Sequence, residues 1–351
     1  MSADTSADDR VLVIGPSWVG DMVLAQSLFK VLKQQTPNVR IDVAAPAWTL
    51  PLLERMPEIN EGIPLPFAHG NLHVWKRISI GRELKKRGYT QAILLTNSLK
   101  SAIVPLAAGI PRRTGFLGEF RYGLLNDIRR LNKKELPRTV DRFVALGVNP
   151  KDPLPSAVPE PRLSVDSNNT AWVLDRLNLV GPSAQVMALC PGAEYGEAKR
   201  WPIQHYAELA LNALRQGWEV WLFGSQKDAD ITAAINASTQ GRCIDLGGKT
   251  GLGEAIDLMN LASVVVSNDS GLMHIGAALN KPLIAIYGSS DPGHTPPMSQ
   301  QAVIHYLNLD CSPCFARKCP LGHQNCLNHI SPAQVASTIW SDNEYIIQRH
   351  E

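Results

Sequence analysis

The sequence contains no long hydrophobic run. Crossing a bilayer takes about 18 or more consecutive apolar residues. The longest candidate, Ala102 to Gly109, is far shorter and is broken by Pro105. The amino terminus, MSADTSADDR, is polar and acidic and lacks the positive stretch and apolar core of a secretory signal. Both absences point to a cytoplasmic protein. Excess charge of one sign is also missing: 34 Lys and Arg oppose 32 Asp and Glu, a net +2. A general nucleic-acid binder carries a large basic excess, so that class is excluded. With 44% apolar residues the chain is not a disordered one. At about 150 residues per domain, 351 residues imply two domains.

What is present is an alternation of short apolar runs and helical spacing. VLVIG at 11–15 reads as a buried parallel strand, and Met22 to Gln34 has a helical period. Further strands are expected at 39–44 and Ile93–Thr96, with a helix near Leu99 to Ala108. Pro150, Pro153, Pro155, Pro159 and Pro161 form a rigid crossing segment. They divide a first domain, 1–160, from a second, 161–330. The second half shows strands at Val186–Cys190, Glu219–Phe223, Cys243–Leu246, Ser263–Ser267 and Pro282–Tyr287, with helices between them. Ser331-Pro332 opens a last helix over 331–351, expected to pack back toward the first domain. The fold class is α/β, with two Rossmann-like doubly wound domains facing across a cleft. Ligands of such folds sit beyond the carboxyl ends of the strands.

Four loops at those ends carry candidate chemistry. Gly15-Pro-Ser17-Trp-Val-Gly20-Asp21 has P-loop spacing, but Asp21 stands where a triphosphate site needs Lys, and the loop is not G-x-G-x-x-G. Asp21 is either an acid favoured by the helix dipole or a general base for an approaching hydroxyl. In CPGAEYGEAKRWP (190–202), Lys199 and Arg200 can hold an anionic leaving group. In SNDSGLMH (267–274), free amides at a helix start suit phosphate, Ser270 can cap or donate, and Asp269 suits sugar hydroxyls. His274 is either structural or part of that site. Gly224-Ser225 and the loop ending at Thr250 are weaker nucleotide-contact candidates.

Cysteine is concentrated in one place. Cys311, Cys314, Cys319 and Cys326 fall within 16 residues and can wrap a tetrahedral zinc, or stand as free thiols or redox disulfides.

Taken together, VLVIGPSWVGDMVLAQSL, APAW…RMPE, CPGAEYGEAKRWP, VSNDSGLMHIGAALN and YGSSDP, in that order over residues 10–345, resemble the inverting transferases of glycosyltransferase family 9. Within it they are most similar to those that add the second core heptose. The resemblance implies a GT-B fold with an acceptor-binding first domain and an ADP-heptose-binding second domain. It implies transfer of L-glycero-D-manno-heptose from ADP-heptose to the first heptose of the lipopolysaccharide inner core, with no cofactor required for catalysis. Asp21 then matches the catalytic base and Lys199 the holder of the donor diphosphate. Ser17, Gly20, Gly224, Ser225, Thr250, Asp269, Ser270, Gly271 and His274 line the donor site. The alternatives are a related transferase with another core acceptor, or a non-catalytic nucleotide-sugar-binding module.

The near-zero total charge hides an asymmetry. From Lys76 to Arg142, 16 basic residues face five acids, so this stretch is +11 and the rest −9. An anionic acceptor at the inner-membrane surface fits that charge. Lys100, Arg121 and Arg142 are its expected contacts, and the protein is expected to be cytoplasmic and peripheral at the inner membrane.

Overall fold

The computed structural model describes residues 9–67 and 71–340. The chain forms two compact units that divide after Pro161. In the first, strands β1 (Arg10–Ile14), β2 (Arg40–Pro46), β3 (Glu61–Leu65), β4 (Gln91–Leu94), β5 (Arg112–Phe116) and β6 (Asp127–Arg129) form one sheet in the order β3-β2-β1-β4-β5-β6. Every pairing is parallel; Val11 of β1 sits opposite Ile41 on one side and Gln91 on the other. The helix Val19–Gln35 buries Met22 to Phe29 almost completely and packs along the helix Thr139–Gly147. The proline segment lies along the first of these helices: Ser27 Oγ donates to the Pro159 carbonyl at 2.6 Å and Lys30 Nζ to that of Glu160 at 2.7 Å.

The second unit repeats the plan. Strands β7 (Val186–Cys190), β8 (Glu219–Leu222), β9 (Ile244–Asp245), β10 (Val264–Asn268), β11 (Leu283–Tyr287) and β12 (Ala302–Tyr306) form a parallel sheet in the order β12-β11-β10-β7-β8-β9. Strands β7, β10 and β11 are buried along their whole length, which is why they read as unbroken apolar runs. The carboxy-terminal helix is described as Pro332–Ile339, capped by Ser331. It packs on the helix Ile203–Arg215 of its own unit, with Val335 and Ile339 fully buried. The rest of the helix expected over 331–351, residues 341–351, lies outside the described residues.

Strands β3, β5, β6 and β12 give no apolar run in the sequence. Three of them are sheet edges, where Pro64 in β3 and the exposed Ile304 in β12 are tolerated. Strand β5 begins with two arginines. No described helix is long and apolar enough to cross a membrane.

Candidate active site

In each unit the strand order reverses direction once, between β1 and β4 and between β7 and β10. Loops leaving such a pair part from each other and open a crevice at the carboxyl ends of the strands.

In the second unit the loop after β7 brings Lys199 to the end of a short 3₁₀ turn, Glu197–Lys199. The loop after β10 brings Asp269 to the start of the helix Gly271–Ala278. Lys199 Nζ lies 2.5 Å from Asp269 Oδ2, with only 18% and 4% of the two side chains exposed. The ammonium also stands 5.1 Å from the centre of the Tyr195 ring. The two loops are joined by Asn268, which the sequence reading passed over. Its Oδ1 accepts from the Trp201 amide at 2.9 Å and from the Tyr206 hydroxyl at 3.1 Å, and its Nδ2 donates to the Pro191 carbonyl at 2.7 Å. The available signal was an amide ending an otherwise apolar strand, a buried polar group that requires partners.

Ser270 sits at the N-cap in extended conformation, and its hydroxyl lies 3.3 Å from that of Ser267. Gly271 follows as the first helical residue, so the first amides of this helix point out at the crevice. His274, one turn in, is 4% exposed and its Nδ1 is buried without a hydrogen-bond partner. Burial pushes its pKa down to about 4; Asp269 opposes that shift and Lys199 adds to it. The imidazole is therefore neutral at pH 7.

Gly224 and Ser225 follow β8 at the same edge, and the Gly248 amide donates to the Gly224 carbonyl, which places the loop ending at Thr250 next to them. The Ser225 hydroxyl donates to Asp228 at 2.7 Å, and the Asp228 carboxylate also accepts from the Ser225 amide. That hydroxyl closes a capping box, which leaves Gly224 to define the turn.

The cysteine segment packs on the Lys199 loop. The Ala198 amide donates to the Arg317 carbonyl at 3.0 Å, and the Tyr195 hydroxyl donates to that of Phe315 at 2.7 Å. A Cβ on Gly196 would overlap the Arg317 backbone, so only glycine permits this approach. Cys311, Cys314, Cys319 and Cys326 are free thiols. Burial pushes the Cys326 thiol up, and the charges of Cys311, Cys314 and Cys319 add to that shift. Among the described residues no group of three or more His, Cys, Asp or Glu stands in an arrangement to hold a metal ion.

In the first unit, Ser17 lies in the turn after β1, and Gly20 and the half-buried Asp21 lie in the first turn of the helix Val19–Gln35 that follows. The Ser17 carbonyl accepts from Trp48 Nε1 at 3.3 Å, which joins this turn to the loop after β2. Lys100 lies across the reversal point, in the turn Leu99–Ala102 after β4, and is half-buried. The expectation for Arg121 is corrected. It is fully buried, and its guanidinium donates to the carbonyls of Thr96 and Phe116, to Ser101 Oγ and to Asn97 Oδ1. It braces the loop that carries Lys100 and presents no charge to an acceptor. Arg142 is half-buried and donates to the carbonyls of Leu136 and Pro137 at 2.8 and 2.9 Å, holding the approach to its own helix.

Residues 77–325 match the family model described as glycosyltransferase family 9 (heptosyltransferase). The chain is 44% identical over 335 residues to lipopolysaccharide heptosyltransferase 2 of Escherichia coli, covering 93% of this chain and 96% of that one. The structure titled E. coli ADP-heptose lps heptosyltransferase II superposes with a TM-score of 0.84 at 43% identity, over 93% of this chain and 96% of that one. Lipopolysaccharide heptosyltransferase 1 of Pseudomonas aeruginosa is 23% identical, over 88% of this chain and 87% of that one. With Lys199, Asp269 and His274 gathered at a reversal point of the sheet order, the chain belongs to glycosyltransferase family 9, the heptosyltransferases.

Proposed function

We propose that this enzyme transfers L-glycero-D-manno-heptose, with inversion, from ADP-heptose to the first heptose of the lipopolysaccharide inner core. The observation that carries the reading is the Lys199–Asp269 pair beside an open helix start. It supplies a cation and free amides for a diphosphate, and a carboxylate for sugar hydroxyls. The identity to the type 2 enzyme, about twice that to the type 1 enzyme, favours this acceptor over the alternatives.

In the reaction the acceptor oxygen forms a bond to the anomeric carbon as the bond to the diphosphate oxygen breaks. The electron pair leaves on ADP and the acceptor proton passes to Asp21. Lys199 and the amides at Gly271 neutralise the departing charge. Such a displacement needs the base and the cation on the leaving group on opposite sides of the reacting carbon. Lys100 answers the anionic acceptor, with Arg142 a second cation of the same unit, and the work is done at the inner face of the inner membrane.

The four-cysteine segment supports the Lys199 loop through its backbone, and a structural zinc on those thiols would require them to draw together from the arrangement described. Elemental analysis of the purified protein tests the metal. ADP release is the test of function: it should require both ADP-heptose and a core acceptor that ends in one heptose. Turnover with an acceptor that lacks heptose, or ADP binding without turnover, would reject the assignment.

A further inference from the structure

Large apolar side chains exposed to water are unevenly placed in the first unit. All its strands are parallel, so the loops following them emerge at one edge of the sheet. Each of the first five loops exposes an aromatic or a leucine there. Trp18 follows β1, Trp48 follows β2, Trp75 follows β3, Leu99 follows β4, and Phe120 with Tyr122 follows β5. Trp75 is 81% exposed and Phe120 87%. Neither belongs to the core, and a cluster of this kind marks a surface that meets something less polar than water.

Cations are interleaved with them. Lys76 adjoins Trp75 in the first turn of the helix Val74–Leu84. Arg130, Lys133 and Lys134 leave β6 at the same edge, and all four are exposed. The acids of these loops are fewer. Glu119 accepts from the Leu99 amide at 2.7 Å, Glu135 is exposed, and Asp21 sits in the first turn of the helix after β1.

We infer that this edge is a docking face for an anionic phospholipid bilayer, with Trp75 and Phe120 entering the headgroup layer and Lys76, Arg130, Lys133 and Lys134 on its phosphates. Indole and phenyl rings favour that depth, and basic residues near an anionic leaflet add to the attraction. The inference rests on the proposed glycolipid acceptor, because bilayer docking at this edge presents a headgroup-borne sugar to the turn that carries Asp21.

The full chain is sedimented with vesicles of phosphatidylethanolamine and phosphatidylglycerol, and separately with vesicles of phosphatidylcholine, in the absence of acceptor. Wild-type protein should bind the anionic vesicles and release in high salt. The double variant Trp75→Ser/Phe120→Ser should bind at least about five-fold more weakly. Its kcat/KM on a deacylated, water-soluble acceptor should stay within about two-fold of wild type, while that on vesicle-borne acceptor drops. Wild-type protein that ignores anionic vesicles, or a double variant that binds them normally, overturns the docking face. An equal loss on the soluble acceptor also overturns it, because the rings would then hold acceptor sugar. Vesicle binding that depends on these rings, without turnover on either acceptor, would keep the docking face and reject the proposed reaction.

Discussion

The two reversal points have the same topology and opposite characters. Between β7 and β10 the central polar side chains are buried: Asn268 ties three groups, Lys199 is paired with Asp269, and His274 is held neutral with its Nδ1 unpartnered. Between β1 and β4 the bonding serves the scaffold. Arg121 is consumed in bracing the Lys100 loop, and the proposed base Asp21 and acceptor cation Lys100 are half-buried. The difference matches two tasks. A departing diphosphate needs fixed dipoles that do not reorganise as charge develops. A large acceptor is held by long-range charge and by a base that waits for a proton. Substitutions in the two places should therefore fail differently.

The sharpest break is Asp21→Asn. Removing the base should lower kcat by about 10³-fold, within the usual range for general-base loss. Calorimetry should find the affinity for ADP little changed, because the proposed diphosphate contacts, Lys199 and the amides at Gly271, are in the other unit. A kcat within a few-fold of wild type would remove Asp21 from the chemistry.

Lys199→Met should cost about 10²-fold in kcat/KM, as loss of a transition-state charge contact does. It also leaves the Asp269 carboxylate, 4% exposed, without its cation. Pairing it with Asp269→Asn should restore thermal stability without restoring turnover. If the double variant regains activity, the amine serves only to neutralise Asp269.

His274 sharpens the comparison by pH. An unfolded His titrates near 6.5, whereas His274 in the fold titrates at about 4. Between those values the unfolded chain binds a proton that the folded chain refuses. Stability from this group is thus complete above pH 6.5 and is lost as pH falls toward 4, by about 3 kcal/mol over the window. Urea denaturation at pH 7 and pH 5 reads it directly. His274→Gln should flatten the difference, and an unchanged slope would show that other groups set it.

The sequence made this contrast only partly visible. Buried strands announce themselves, because VVVSN and VMALC have no solvent face to break their apolar run. Lys199 and Asp269 were legible as types placed after strands, but their pairing was not: 70 residues separate them and only the register of β7 beside β10 brings them together. Arg121 misled for a related reason. An arginine in a basic stretch looks the same in sequence whether it faces water or caps loop carbonyls, and local spacing carries no information about the Thr96 carbonyl, 25 residues upstream. The cysteine segment was noticed for its thiols, while its contact with the Lys199 loop runs through the backbone carbonyls of Phe315 and Arg317, which no residue type reveals.

The smallest expected effect gives the finest test of the asymmetry in the first unit. Lys100 and Arg121 belong to one loop system, one half-buried and the other buried. Lys100→Ala should raise the acceptor KM by about ten-fold, close to 1.4 kcal/mol, with melting temperature and ADP affinity unchanged. The effect should shrink as salt rises, since a charge open to solvent on one side acts through a partly screened field. Arg121→Ala should do the reverse and lower the melting temperature first, because the carbonyls of Thr96 and Phe116 lose their donor. Its effect on KM should be insensitive to salt and follow from the loosened loop. If Lys100→Ala destabilises the protein and Arg121→Ala gives the salt-dependent KM, the roles read from burial are exchanged, and the first unit presents its charge through a loop that opens.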